Sequence, residues 1–192
     1  MVVEIGILAL QGNYAQHEKV LDELSVSSVL VKYPNQLNGL SGLIIPGGES
    51  SVISRHIEKN NFRDAIKDFS NVKPIFGTCA GMILLSSTKK TKHVNPLSLM
   101  DFTVKRNAWG RQVNSFFTNI MIDSSIDKSF KGYFIRAPKV KDTNSSINVL
   151  ASHEGEPVML SDGFHLASSF HPEIGGNNKI HKYFIDKIHD EK

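Results

Sequence analysis

Cys79 is the one cysteine of the chain, and it stands in Phe76-Gly77-Thr78-Cys79-Ala80-Gly81, after an apolar run and before Met82-Ile83-Leu84-Leu85. A Gly-x-Cys-x-Gly segment between a strand and a helix has the layout of a nucleophile elbow, whose flanking glycines permit a sharp turn that lifts the reactive side chain out of the sheet. A helix opening at Ala80 points free amides at the sulfur, which favours thiolate and any oxyanion formed beside it. The same position also suits an inert core thiol, because free cysteine is among the most buried residue types.

A thiolate used for acyl transfer needs a base that keeps it ionised and protonates the leaving group, and the base needs an acceptor that orients it. Ser169-Phe170-His171-Pro172-Glu173 offers both. Proline at 172 disfavours helix at His171, so the segment is expected to be extended, with His171 and Glu173 projecting to one side. Leu166 to Phe170 then supplies the strand that delivers them. Read alone, the segment also fits a surface His-Pro turn with a solvated glutamate. His153-Glu154 is a second acid–base neighbour pair; Gly155 follows it, and it reads as a turn. None of the 8 histidines has the spacing of a zinc site, and with one cysteine no structural metal is expected.

Pro46-Gly47-Gly48-Glu49-Ser50-Ser51 is the third segment of interest. Serine and glutamate are ordinary first-turn residues, so it can be a turn that caps a helix. Its alternative role is chemical: a glycine pair before a helix leaves amides bare, and one of them facing Cys79 would complete an oxyanion hole with the amide of Ala80.

The elements that must position these segments alternate through the first half. Val2 to Leu8, Val29 to Val31, Leu43 to Ile45 and Pro74 to Phe76 read as strands, and Tyr14 to Leu24, Val52 to Asn60 and Phe62 to Phe69 as helices. Near-continuous apolar runs mark strands covered on both faces, so an α/β fold with a parallel sheet between helices is expected. The loops Gln11-Gly12, Pro46 to Ser51 and Gly77 to Gly81 all follow strands and should meet at the carboxyl edge, where open parallel sheets bind ligands. Beyond about Thr91 the texture turns to shorter strands at Phe102 to Val104, Phe116 to Ile122, Tyr133 to Ile135, Pro157 to Leu160 and Phe164 to Phe170. Ile180 to Ile188 reads as a closing helix.

With 192 residues, 40% hydrophobic and 21% charged, the chain has the composition of an ordinary globular protein, and residues 1–192 read as one domain. The single cysteine allows no intrachain disulfide, and no apolar run approaches the roughly 18 residues that span a membrane. A cytoplasmic protein is expected. The net charge of +3 is not concentrated on one face; its densest stretch, Lys89-Lys90-Thr91-Lys92-His93, reads as a solvated loop, and nucleic-acid binding is not expected.

Pro46 to Ser50, Gly77 to Gly81 and His171-Pro172-Glu173, in that chain order, resemble the class I (triad) glutamine amidotransferases. Within that class the chain is similar to the glutaminase subunits of pyridoxal 5'-phosphate synthase, nearly end to end. The more particular signatures are Leu8-Ala9-Leu10-Gln11-Gly12, Arg106-Asn107 with Gly110-Arg111-Gln112-Val113, Ser115-Phe116, and Phe134-Ile135-Arg136-Ala137-Pro138. The resemblance implies a flavodoxin-like three-layer fold, with a mostly parallel central sheet and additional antiparallel strands. It implies that Cys79 attacks the side-chain amide of L-glutamine, giving a glutamyl thioester and ammonia, with His171 as general base and acid and Glu173 orienting it. Gly48 and Ala80, with the backbone at Gln11, would form the oxyanion site; Gly47, Gly48, Glu49, Ser50, Arg106, Ile135 and Arg136 would bind glutamine. A buried guanidinium at Arg106 or Arg136 suits an amino acid's carboxylate, which it can hold with two hydrogen bonds.

No cofactor is implied. The implied partner is a barrel-shaped, oligomeric synthase subunit that takes the ammonia, docking near Gln11. The chain departs from the family pattern at Asn114, where aspartate is usual, at Ser51 for threonine and at Ile174 for leucine; Gly175-Gly176-Asn177 is also unusual. A glutaminase serving another acceptor, and a non-catalytic binding subunit of the same fold, are the competing readings.

Overall fold

The computed structural model of the chain describes residues 3–106, 108 and 115–190. Val2, Asn107 and the segment from Gly110 through Arg111, Gln112 and Val113 to Asn114 lie outside the described residues. The first half runs β1 (Glu4–Leu8), α1 (Tyr14–Glu23), β2 (Ser27–Val31), β3 (Gly42–Ile45), α2 (Ser50–Lys59), α3 (Phe62–Ser70), β4 (Ile75–Thr78) and α4 (Ala80–Leu85). The second half runs β5 (Phe102–Lys105), β6 (Phe116–Ile122), β7 (Phe130–Phe134), β8 (Lys139–Thr143), β9 (Asn148–His153), β10 (Glu156–Ser161), β11 (Leu166–Ser168) and α5 (Lys179–Asp190).

Among the described residues, nine strands form one sheet in the order β2-β1-β3-β4-β11-β10-β9-β6-β7, and β5 pairs with β8 in a separate ribbon. From β2 to β11 the neighbours are parallel; from β11 to β7 they are antiparallel. The α/β sheet with a parallel centre and additional antiparallel strands is therefore present. Every residue of β3 and β4 is buried, as the continuous apolar runs required.

Successive side chains of a strand face opposite ways, and here they feed two cores. Leu8, Leu43, Ile45 and Ile75 pack with Ile53, Ile57, Phe62 and Ile66 of α2 and α3 and with α4. Ile5, Ile7, Ile44 and Phe76 pack on the other side with Leu21 of α1 and with Ile180, Phe184 and Ile188 of α5. Three layers result. The register Ile7 to Ile44 to Phe76 to Leu166 runs straight across the parallel strands and aligns their carboxyl ends at one edge.

Two strands lay outside the sequence expectation. β8 is Lys-Val-Lys-Asp-Thr, with Val140 its one buried residue, and the three-residue apolar run of β9, Val149-Leu150-Ala151, buries only Ala151, so neither shows the long apolar run of the central strands. The turn read at His153-Glu154 falls on Glu154 and Gly155, both with positive φ (51° and 78°), while His153 is the last residue of β9. Ile135 was expected in a strand, but β7 ends at Phe134, and the chain turns through Arg136 with φ 48°. No helix among the described residues is long and apolar enough to cross a membrane.

Candidate active site

β4 ends at Thr78, and the next residue takes the strained conformation. Cys79 has φ 48° and ψ −99°, outside the ordinary regions for a side-chain-bearing residue, a conformation that costs on the order of 1–3 kcal/mol and persists only where neighbours impose it. Its amide donates to Ser168 O at 2.8 Å, which ties the elbow to β11. The sequence reading assigned the sharp turn to the flanking glycines; the positive φ falls on the cysteine itself. The glycines serve close approach instead. A methyl group on Gly81 would collide with Ile45 O, and one on Gly77 would lie 2.6 Å from the Gly81 carbonyl carbon, so only glycine lets α4 sit this tightly against β3 and β4.

His171 follows β11, and its amide donates to Tyr133 O at 2.8 Å. The segment is not extended. Ile174 N donates to His171 O at 3.3 Å, closing a turn with Pro172 at its second position, where the fixed proline φ is favourable. The turn, rather than strand periodicity, brings Glu173 onto the imidazole: His171 Nδ1 and Glu173 Oε1 are 2.6 Å apart. Asn13 Nδ2 donates to the same oxygen at 3.0 Å. With Nδ1 occupied by Glu173, Nε2 is the ring nitrogen left for Cys79. Gly47 lies against both groups: a methyl group there would collide with His171 Cε1 and stand 3.3 Å from Cys79 Cβ.

Burial opposes a charged ring, but the hydrogen bonds to Cys79 and Glu173 and their negative charge outweigh it and raise the His171 pKa to about 10. Glu173 is also buried, which favours its neutral form; the fields of His17 and His171 and the hydrogen bond from His171 prevail and bring it down to about 2. The geometry thus supports an imidazolium–carboxylate pair beside a sulfur that also contacts Ile135 O at 3.6 Å.

Cys79 and His171 open into a cavity of about 580 Å³. Gln11, Gly47, Gly48, Glu49, Ser50, Ala80, Arg106, Ile135 and Arg136 all line it, so each expected binding or oxyanion residue faces the same space. Glu173 stands behind the imidazole. Ala80 is the first residue of α4, where an amide has no acceptor within the helix. Gln11 Oε1 accepts from Glu49 N at 2.9 Å, and Gly47 O accepts from Asn13 N at 2.9 Å, which clamps the loop after β1 to the loop after β3.

At the rim, Arg106 donates to Glu49 Oε1 at 2.9 Å. Partial burial favours neutral Glu49, but hydrogen bonds from Ser51 and the charges of Arg106 and Arg136 hold its pKa below the usual value. The expected buried cation is not found: the Arg106 side chain is 34% exposed and Arg136 is exposed. Both guanidinium groups sit where an open site meets water.

Sequence reasoning missed Asn13, His17, Thr78 and His181. Asn13 directly follows Gln11-Gly12, and His17 falls on the Val20, Leu21 face of α1, where a polar residue at a core position was the available signal. Among the described residues no group of three or more His, Cys, Asp or Glu side chains is placed to hold a metal ion.

A sulfur on a strand-to-helix turn, with an imidazole and a buried carboxylate behind it, can carry out acyl transfer through a thioester, and the surrounding sheet is that of the class I glutamine amidotransferases. A crystal structure of a glutamine amidotransferase superposes with a TM-score of 0.91 at 35% identity, covering 96% of this chain and 98% of that one. A chain of PurLQS from Thermotoga maritima shares the fold at a TM-score of 0.67 and 16% identity, with 100% and 99% covered. The chain belongs to the SNO glutamine amidotransferase family, whose profile matches residues 7–190. The pyridoxal 5'-phosphate synthase subunit PdxT of Brevibacillus brevis is 42% identical over 187 residues, 97% of each chain. That of Oenococcus oeni is 41% identical over 192 residues and 100% of each chain.

Proposed function

We propose that this chain is a single-domain, cytoplasmic glutaminase subunit of pyridoxal 5'-phosphate synthase, releasing ammonia from L-glutamine for a barrel-shaped, oligomeric synthase partner. The observation that carries this reading is the meeting of Cys79 and His171 at one cavity, with Glu173 held against the far side of the imidazole, in a chain similar throughout to PdxT subunits.

The Cys79 thiolate attacks the side-chain amide carbon of glutamine, and the carbonyl electrons move onto oxygen. The amides of Gly48 and Ala80, with the backbone at Gln11, receive that oxyanion. As the tetrahedral intermediate collapses, the C–N bond breaks, His171 gives its proton to nitrogen, and ammonia leaves a glutamyl thioester. His171, now neutral, takes a proton from water; hydroxide adds to the thioester, the C–S bond breaks, and glutamate departs as the thiolate–imidazolium pair is restored. Glu173 orients the ring and stabilises its charged form throughout. Gly47, Gly48 and Ser50 shape the floor with Ile135, and the Glu49, Arg106 and Arg136 charges at the rim complement the ammonium and carboxylate of a free amino acid.

The test is ammonia release from glutamine with and without a synthase subunit. Wild type is expected to be active in the complex, and Cys79→Ala to lose turnover while still assembling. Substantial turnover by Cys79→Ala would refute the nucleophile; activity only with a different acceptor enzyme would favour another amidotransferase pathway.

A further inference from the structure

Behind the triad lies a buried polar chain that the reaction above leaves unused. Glu173 Oε1 accepts from His171 and Asn13, but Oε2, equally buried, has no hydrogen bond. The atom facing it is His17 Nε2, at 3.5 Å, which is also 3.2 Å from Thr78 Oγ1. His17 Nδ1 lies 2.9 Å from His181 Nε2, and both rings are 0% exposed. Burial dominates for both: it lowers the His17 pKa against the field of Glu173 and with that of His171, and it lowers His181 to about 3, so both rings are neutral near pH 7.

Neutral imidazole carries one proton, so the short His17–His181 contact permits two concerted arrangements. In one, His17 Nδ1–H donates to His181; His17 Nε2 then turns a lone pair on the carboxylate, and His181 Nδ1–H is a buried donor without an acceptor. In the other, His181 Nε2–H donates to His17, whose own proton then sits on Nε2 between Glu173 Oε2 and Thr78 Oγ1. A buried carboxylate oxygen short of donors selects the second.

We propose that His17 is a positioning residue of the triad: held in its Nε2–H form by His181, it directs that proton at Glu173 Oε2 and fixes the carboxylate that orients His171. The inference rests on the glutaminase reading. The ionisable groups around it are His171 and Glu173 from the loop after β11, Cys79 from the elbow and His181 from α5. Lys19 and Glu23 of α1 face Glu173 across a cavity of about 380 Å³.

Because Cys79 is the single cysteine, iodoacetamide alkylation followed against pH reports the formation of its reactive thiolate–imidazolium pair without glutamine. His17→Leu is expected to move the acid limb of that profile upward by about half a pH unit or more, and to lower kcat of the synthase complex about tenfold with KM little changed. His17→Gln, whose amide can place a donor near the former Nε2, should recover most of both. His181→Leu, which releases the tautomer, should shift the limb in the same direction by less. An unmoved limb in His17→Leu, or equal losses in His17→Leu and His17→Gln, would overturn the role; if His17→Leu does not fold, an unmoved limb in His181→Leu does so. Failure of wild type to release ammonia would instead remove the glutaminase reading, which the alkylation profiles do not test.

Discussion

His171 holds its charge through the groups that face it. The ring is raised to about 10 against the effect of burial because the sulfur and Glu173 both accept from it, so removing the sulfur should lower it. An NMR titration of the His171 imidazole is expected to give a clearly lower pKa in Cys79→Ala than in wild type; an unchanged value would mean that Glu173 alone holds the proton. The linkage follows in sign. A raised histidine stabilises the fold fully below its unfolded value of 6.5 and loses that contribution as pH climbs through about 10, whereas Glu173, lowered to about 2, contributes above 4.5 and loses its part as pH falls through about 2.

At the scale of elements, the elbow depends on how closely α4 approaches the sheet. Gly81 packs on Ile45 O of β3, and Gly77 packs on Gly81, so any side chain at 81 must drive α4 and β3 apart. Gly81→Ala is expected to cost about 1–3 kcal/mol, the range for overpacking a close contact. Urea unfolding should show a lower midpoint with an unchanged slope. The same separation displaces Cys79 from Gly47 and His171, so alkylation of the sulfur should slow in the folded variant. Retention of wild-type stability and reactivity would show that α4 has room to relax.

For the molecule as a whole, the layer between α1, α5 and the sheet contains two neutral buried histidines, set between an apolar core and the buried Thr78 and Glu173. Unfolding lets them protonate. Their native pKa values lie below 6.5, so the unfolded state binds more protons as pH falls from 6.5, and stability declines toward acid by at most about 1.4 kcal/mol per pH unit for each histidine. Midpoints of urea unfolding between pH 6.5 and 4.5, where the His171 contribution is already complete, should fall in that direction for wild type and less steeply for His181→Leu. Equal slopes would show that His181 takes up no proton on unfolding.

The sequence by itself determined the alternation of strands and helices, the apolar runs of β1, β3 and β4, and the three segments whose side chains meet at the cavity, because each signal is local: an apolar run, a glycine, a proline, a reactive side chain beside them. What only the tertiary structure decided were relations across the chain. Asn13, His17, Thr78 and His181 are ordinary polar residues until the sheet and two helices bring them around one carboxylate, from 61 to 164 positions apart in the bonds that join them. The same holds for the turn that presents Glu173 and for the positive φ of Cys79 in place of its glycine neighbours. A backbone takes such conformations when packing and hydrogen bonds from distant strands outweigh local preference.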